Sequence, residues 1–404
     1  MVDYIALSIP IFFLLIGVEI AYTIYKKLKY YSFNDSIANL SQGIGSQLVG
    51  IFLKAATFFA YLYIFEHWRI HSFPNTFLTW LLLFLGVDFC YYWFHRMSHE
   101  VNALWAAHIV HHQSEEYNLT VALRQSWFQG GFSWAFYLPL AFFGFEPVMF
   151  LTVSSFNTLY QFWIHTRIIG KMNPVLEYIF NTPSHHRVHH GTNKKYIDKN
   201  HAGSLIIWDR MFGTFQAEEE EVVYGITKPL NSLNPFWANF HYWNELIILS
   251  ARTPSLKNKF LVFFQSPGWL PKELSNQPLY TEDNLQHRRF SPQNTLRLNS
   301  YLVVQFLLSL GLATMLLFFN AQLSFIQLLS ATLLILFTLT TCGALFEQQK
   351  WLQRFEYFRL SFWLITTYIF SGLAIHNFYL YFSVLACIVS AMWFYTIKIK
   401  TENV

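Results

Sequence analysis

Charge is scarce in this sequence. Only 12% of its 404 residues are Asp, Glu, Lys or Arg, against roughly 25% in a typical soluble chain. Hydrophobic residues make up 54% and aromatics 20%, more apolar surface than a soluble core absorbs without large exposed patches. The bilayer is the natural solvent for such a chain. A net charge of +4 with no basic arm or stripe excludes nucleic-acid binding. Cysteine is nearly absent too: Cys90, Cys342 and Cys387 lie far apart in apolar stretches, which excludes a disulfide framework and a CxxC zinc site. No GxGxxG nucleotide loop and no fused cytochrome domain is present, so any reductant must be separate.

Long apolar runs dominate what remains. About 20 such residues cross a bilayer as a helix, and Ile5–Thr23, Leu48–Phe65 and Phe77–Phe94 each qualify. The first run is followed, not preceded, by Lys26, Lys27 and Lys29, so it reads as a retained anchor rather than a cleaved signal. Phe132–Trp163 is too long for one crossing and is broken at Gly144-Phe-Glu-Pro147; it predicts a hairpin that returns to its side of entry. After a polar stretch, four further spans are expected at Tyr301–Phe319, Leu323–Phe346, Phe358–Leu373 and Phe378–Ile397. Lysines 26, 27 and 29, with Lys398 and Lys400, place one face in the cytosol. Counting crossings then brings every histidine cluster to that face. Glu218–Glu221 reads as a solvated loop. The expected architecture is all-α, a polytopic helical bundle with a cytosolic, histidine-rich cap.

Histidine is the residue in excess. There are 16, and nine fall within 95–112 and 185–190. His95 and His99 are four apart, one helical turn, so both imidazoles reach one ion. His108, His111 and His112, and again His186, His189 and His190, repeat spacings of three and four. Neutral imidazoles crowded together are costly to bury unpaired, and metal binding converts that cost into bonding. Eight are too many for one ion and fit two. With no thiolate among them, a dinuclear iron centre that uses O₂ is the best match, with a dizinc hydrolase as the chemical alternative. His165, where the hairpin ends, and His185 are further candidate ligands. Asp88, two turns before His95, is the leading candidate to orient a ligand; Glu100, Asp198 and Asp209 are others. His67, His71, His241, His287 and His376 stand outside the clusters.

His95-Arg-Met-Ser-His99, His108-Ile-Val-His111-His112 and His186-Arg-Val-His189-His190 resemble the three histidine boxes of the fatty acid hydroxylase (sterol desaturase) superfamily. Leu104-Trp-Ala-Ala-His108, Ser114-Glu-Glu-Tyr-Asn, Tyr160-Gln-Phe-Trp-Ile-His165, Asn181-Thr-Pro-Ser-His185 and Trp208-Asp-Arg-Met-Phe-Gly resemble its alkylglycerol-type members. The resemblance implies four regions: N-terminal membrane spans over 1–74, a di-iron catalytic domain over 75–245, a cytosolic polar connector over 246–298 and C-terminal spans over 299–404. It implies a lipid monooxygenase that hydroxylates the carbon next to the ether oxygen of an alkylglycerol, releasing fatty aldehyde and glycerol. It implies two iron ions, O₂ as co-substrate, and tetrahydrobiopterin as external electron donor, with Glu100 contacting the pterin or orienting a ligand histidine. The membrane would be the endoplasmic reticulum in a eukaryote or the inner membrane in a bacterium. His201 stands where the animal enzymes are expected to carry tyrosine, and it is not counted as a ligand. Sterol desaturation, fatty acyl or carotenoid hydroxylation and, more distantly, histidine-lined transport are the rival readings.

Overall fold

The structure, a computed structural model, describes residues 4–274, 289–349, 351–371 and 378–397. His287, His376, Lys398 and Lys400 lie outside the described residues. Among the described residues there is no strand, only an isolated bridge between Gly191 and Tyr224. The chain forms two compact units: Met1–Gly43 with Gly50–Leu230 and Asn239–Arg288, and Ile44–Val49 with Asn231–Ala238 and Arg289–Val404.

In the first unit, α1 (Tyr4–Tyr25), α2 (Phe33–Trp68) and α3 (Phe77–Glu100) are each long and apolar enough to cross a membrane. α2 is far longer than the expected Leu48–Phe65 span: its 36 residues extend about 54 Å at 1.5 Å per residue. Its first turns are polar and dock on the segment after the second histidine box. Asn39 donates to the Thr120 hydroxyl at 3.1 Å and accepts from the Arg124 guanidinium at 3.0 Å. α3 starts at a Thr76 cap and runs two turns beyond Phe94, carrying His95 and His99 on its last turns.

The expected hairpin is present. Its limbs are Gly130–Phe143, an apolar stretch ending in the short helix α4 (Leu138–Phe143), and α5 (Pro147–Trp163). Gly144 turns the chain with φ 102°, and a Cβ there would lie 1.8 Å from the His71 carbonyl oxygen, so only glycine fits. Glu146 and Pro147 then start α5, the Glu146 carboxylate accepting from the Met149 amide at 2.8 Å. Tyr61, Leu83, Val87, Leu140, Phe145, Met149 and Val153 bury the contact of α2, α3 and the hairpin. α5 packs along α3 and delivers His165 one residue past its C-cap.

In the second unit, α6 (Leu296–Phe319), α7 (Phe325–Phe346), α8 (Leu352–Ser371) and α9 (Phe378–Tyr395) pack each against its chain neighbour. The first two are membrane-span candidates. Thr295 caps α6, and a Ser324–Gln327 capping box starts α7. α8 begins earlier than the predicted span and carries Glu356 and Arg359, fully buried. Arg359 grips the Glu356 carboxylate at 2.6 and 2.7 Å and donates to Gln305 at 3.0 Å, while Tyr301 donates to Glu356. The pair is thus neutralised and hydrogen-bonded, as an apolar bundle requires.

Candidate metal centre

Nine histidines from four separate segments converge in the first unit. His95, His99, His108, His112 and His189 form one group, and His111, His165, His186 and His190 a second. Within each, the candidate ligand nitrogens all lie within 4.8 Å of one another. Every one is buried, His99 the most exposed at 8%. Helical spacing explains the partition. Residues four apart share a face, so the pairs 95/99, 108/112 and 186/190 each serve one group. Adjacent residues point roughly 100° apart, which sends His111 and His189 to the opposite group from His112 and His190.

Backbone carbonyls set the tautomers. The Nδ1 of His95 bonds the His201 carbonyl at 2.8 Å, that of His111 the Arg124 carbonyl at 2.9 Å, that of His165 the Gln161 carbonyl at 2.7 Å and that of His189 the Lys199 carbonyl at 2.9 Å. A carbonyl only accepts, so each Nδ1 carries the proton and each Nε2 presents a lone pair. Yet the His111 and His165 Nε2 atoms face each other at 3.2 Å. Further ring nitrogens meet at 3.0–3.2 Å between His165 and His186, His95 and His108, and His108 and His112. The Nε2 atoms of His99, His189 and His190, although buried, have no hydrogen-bond partner at all. Opposed lone pairs and orphaned nitrogens are unfavourable unless cations bond to them. The residues fit two metal ions.

Burial has the same message. It pushes the imidazoles of His108 and His165 down to about 4, and those of His111, His112, His186, His189 and His190 well below their ordinary value. Each ring is therefore a neutral ligand at neutral pH. The metal-free folded chain then binds fewer protons than the unfolded chain between about pH 6.5 and 4. Its stability is complete above pH 6.5 and is lost as pH falls through that window. Melting in detergent after chelation is expected to drop by several degrees from pH 7.5 to pH 5; a melting temperature that is flat or rises on acidification contradicts this.

The structure does not bring His185 into either group. Its Nε2 pairs with Glu177 at 3.0 Å, and its Nδ1 faces the Thr182 amide and hydroxyl, closing a capping box at the start of the third motif. Burial alone would raise the Glu177 carboxyl, but bonds from His185, the Met172 amide and Ser184 outweigh it and hold the group down at about 2. His185→Gln is expected to keep the full metal complement and to lose at most about tenfold to a hundredfold in activity. Loss of one ion, read by elemental analysis, would place His185 among the ligands instead.

Asp88, wholly buried, has no hydrogen bond to a histidine among the described residues. It accepts from Asn157 at 2.6 Å, the Ser204 and Leu205 amides at 2.7 and 3.0 Å and the Trp208 indole at 3.0 Å. It therefore ties α3 and α5 to the strap of residues 198–205 that orients His95 and His189. Asp209 holds the other end of that strap through the His201 and Ala202 amides at 2.8 and 2.9 Å; burial pushes its carboxyl up to about 6 against these bonds. Asp198 and Asn200 both have φ 56°, a strained backbone, and the Asn200 side chain donates to the His185 and Gln216 carbonyls and accepts from the Gln216 amide. Asp198 approaches the His99 Nδ1 at 3.5 Å. Glu100 is paired with Arg96 at 2.9 Å and is 41% exposed, outside both groups.

Other contributors were assigned no role from the sequence. Gln129 bonds the His108 Nδ1 at 3.0 Å. Arg124, buried, donates to the Val110 carbonyl and to Gln113, bracing the second box. Glu218 is not merely solvated: it takes a two-pronged bond from Arg187 at 2.7 Å, and Arg187 also donates to the Thr166 carbonyl. Glu19, in the first span, accepts from Thr166, Tyr31 and the Leu119 amide, anchoring the segment that follows His165.

Residues 80–214 match the Fatty acid hydroxylase family. Membrane-length helices around two buried sets of imidazoles, in a chain so matched, define a membrane-bound, oxygen-dependent lipid monooxygenase. Residues 298–384 match the Alkylglycerol monooxygenase C-terminal domain. Alkylglycerol monooxygenase of Homo sapiens is 44% identical over 86% of this chain and 78% of its own length; that of Xenopus tropicalis is 43% identical with the same coverage. An ornithine lipid hydroxylase of Rhizobium tropici is 28% identical over 37% of this chain and 45% of its own. No solved structure matches the chain. The chain belongs to the alkylglycerol monooxygenase family.

Proposed function

We propose that this protein cleaves the ether bond of alkylglycerols, using a di-iron centre held by His95, His99, His108, His112 and His189 on one side and His111, His165, His186 and His190 on the other. The observation that carries the reading is the pair of buried all-imidazole groups, whose lone pairs have no other use. Two iron ions, when bound there, supply the activation of O₂. The reaction balances as insertion of one oxygen atom into the C–H bond beside the ether oxygen. The second oxygen leaves as water with two electrons and two protons from an external reductant, for which tetrahydrobiopterin is the proposed donor. The hemiacetal so formed collapses to fatty aldehyde and glycerol.

The chain's own residues do the rest. Carbonyls of Arg124, Gln161, Lys199 and His201 aim the ligand nitrogens, so no reorganisation is needed at the moment of reaction. Burial keeps water from the oxidising site. The apolar limbs of the hairpin and α3 are the proposed path for the lipid chain from the bilayer, and the 75–245 region is the proposed catalytic domain between membrane-spanning ends. The proposed location is the cytosolic face of the endoplasmic reticulum or of a bacterial inner membrane.

The test is incubation of iron-loaded protein with a labelled alkylglycerol, with and without tetrahydrobiopterin. Pterin-dependent fatty aldehyde with matching O₂ uptake is the expected result. Oxidation of a sterol or fatty acyl chain instead moves the substrate to another branch of the superfamily. A site that holds only zinc and takes up no O₂ ends the oxygenase reading.

A further inference from the structure

His201, like His185, belongs to neither group, but unlike His185 its ring has no carboxylate partner. It is fully buried, yet its ring packs 5.0 Å from that of His99, 5.7 Å from His189 and 5.8 Å from His95, centroid to centroid. The first of these falls within the 4.4–5.4 Å between rings of the five-histidine group, and the other two lie just beyond it. Its nitrogens nevertheless fall outside the set lying within 4.8 Å of one another. Neither Nδ1 nor Nε2 has a hydrogen-bond partner; the Asp198 carbonyl lies beside the ring but outside hydrogen-bond geometry. The main chain of the same residue is fully engaged, its amide by Asp209 and its carbonyl by His95, so the ring is held in place while its nitrogens are left open.

An imidazole must have one donor and one acceptor nitrogen when neutral, and burying both unpaired is costly. For the aligned histidines a carbonyl fixes which nitrogen carries the proton. For His201 no carbonyl lies in hydrogen-bond geometry, so it can turn either a donor or an acceptor toward its neighbours. We propose that His201 lines the binding position for a small exogenous molecule at the five-histidine site and hydrogen-bonds that molecule without itself ligating metal. This deepens the di-iron reading and rests on it. The chemical class is a small triatomic or diatomic ligand, of which the co-substrate O₂ is the natural member and azide a stable probe.

The experiment titrates azide into iron-loaded, detergent-solubilised full-length protein, following the azide-to-iron charge-transfer band, with iron counted separately. Wild type and His201→Phe are expected to carry the same iron. His201→Phe is expected to bind azide at least about tenfold more weakly, the effect of losing one hydrogen bond to a charged group. His201→Gln, which keeps a planar donor at similar reach, should stay within about threefold of wild type. His201→Asn has the same chemistry but is one bond too short and should behave like the Phe variant, so the Gln and Asn pair carries the test if the Phe variant does not fold. Equal azide affinity in all variants overturns the proposal, as does the loss of one iron in His201→Phe, which makes His201 a ligand. Wild-type protein that takes up no iron overturns the metal reading itself, and this inference with it.

Discussion

His111→Ala is expected to leave about one iron per chain and to lower lipid oxidation by at least about a thousandfold. His111 is the second-box residue whose side chain departs from its neighbours to join His165, His186 and His190. Its Nε2 sits 3.2 Å from that of His165, and its Nδ1 is locked by the Arg124 carbonyl. Removing it cuts a four-imidazole site to three and leaves the His165 lone pair without its shared ion. A metal contributing several kcal/mol of transition-state stabilisation is then lost, and each 1.36 kcal/mol is tenfold in rate. His112→Ala, one residue on, should instead deplete the five-histidine group, which retains four ligands and so loses iron less completely. Elemental analysis with aldehyde detection checks both. Two irons and turnover within tenfold of wild type in His111→Ala would show that the partition of the rings is wrong.

The second large effect is expected at a residue with no hydrogen bond to a ligand histidine among the described residues. Asp88→Ala removes the acceptor for four donors, two of them backbone amides of the strap. Each buried donor left unsatisfied costs about 1–3 kcal/mol, so destabilisation of at least about 4 kcal/mol follows. The strap supplies the carbonyls that aim His95 and His189, and the Asp88 bonds pin its Ser204–Leu205 end, while Asn200 is held by its own bonds to His185 and Gln216. Iron affinity at the five-histidine group should therefore fall together with the melting temperature. Asp88→Asn, retaining one carbonyl oxygen, should lie between Ala and wild type. A variant that melts like wild type and holds both irons removes Asp88 from the support of the site.

Several features could be read directly from residues. The scarcity of charge and the apolar runs determined a helical membrane protein, because a bilayer leaves the backbone few other ways to satisfy its hydrogen bonds. The glycine-proline break at 144–147 placed the hairpin turn, since that backbone excludes a side chain. The three-and-four spacing of histidines pointed to imidazole-only metal ligation, and the two groups the rings form fit that expectation. The extended polar start of α2 and the early start of α8 that takes in Glu356 were not legible. Their polar residues look like loop or surface until partners distant in sequence, such as Arg124 and Tyr301, are seen to satisfy them.

Only the tertiary structure decided which histidines act together. Its geometry gathers His165 into a group and turns His185 toward Glu177 instead, a distinction no spacing along the chain contains. It also decided what aims them, because the aligning groups are backbone carbonyls, which every residue possesses and no residue type announces. The same reason hid the strap and the unpartnered ring of His201: side-chain chemistry is written in the sequence, but the direction in which it points is set by packing between segments far apart in the chain.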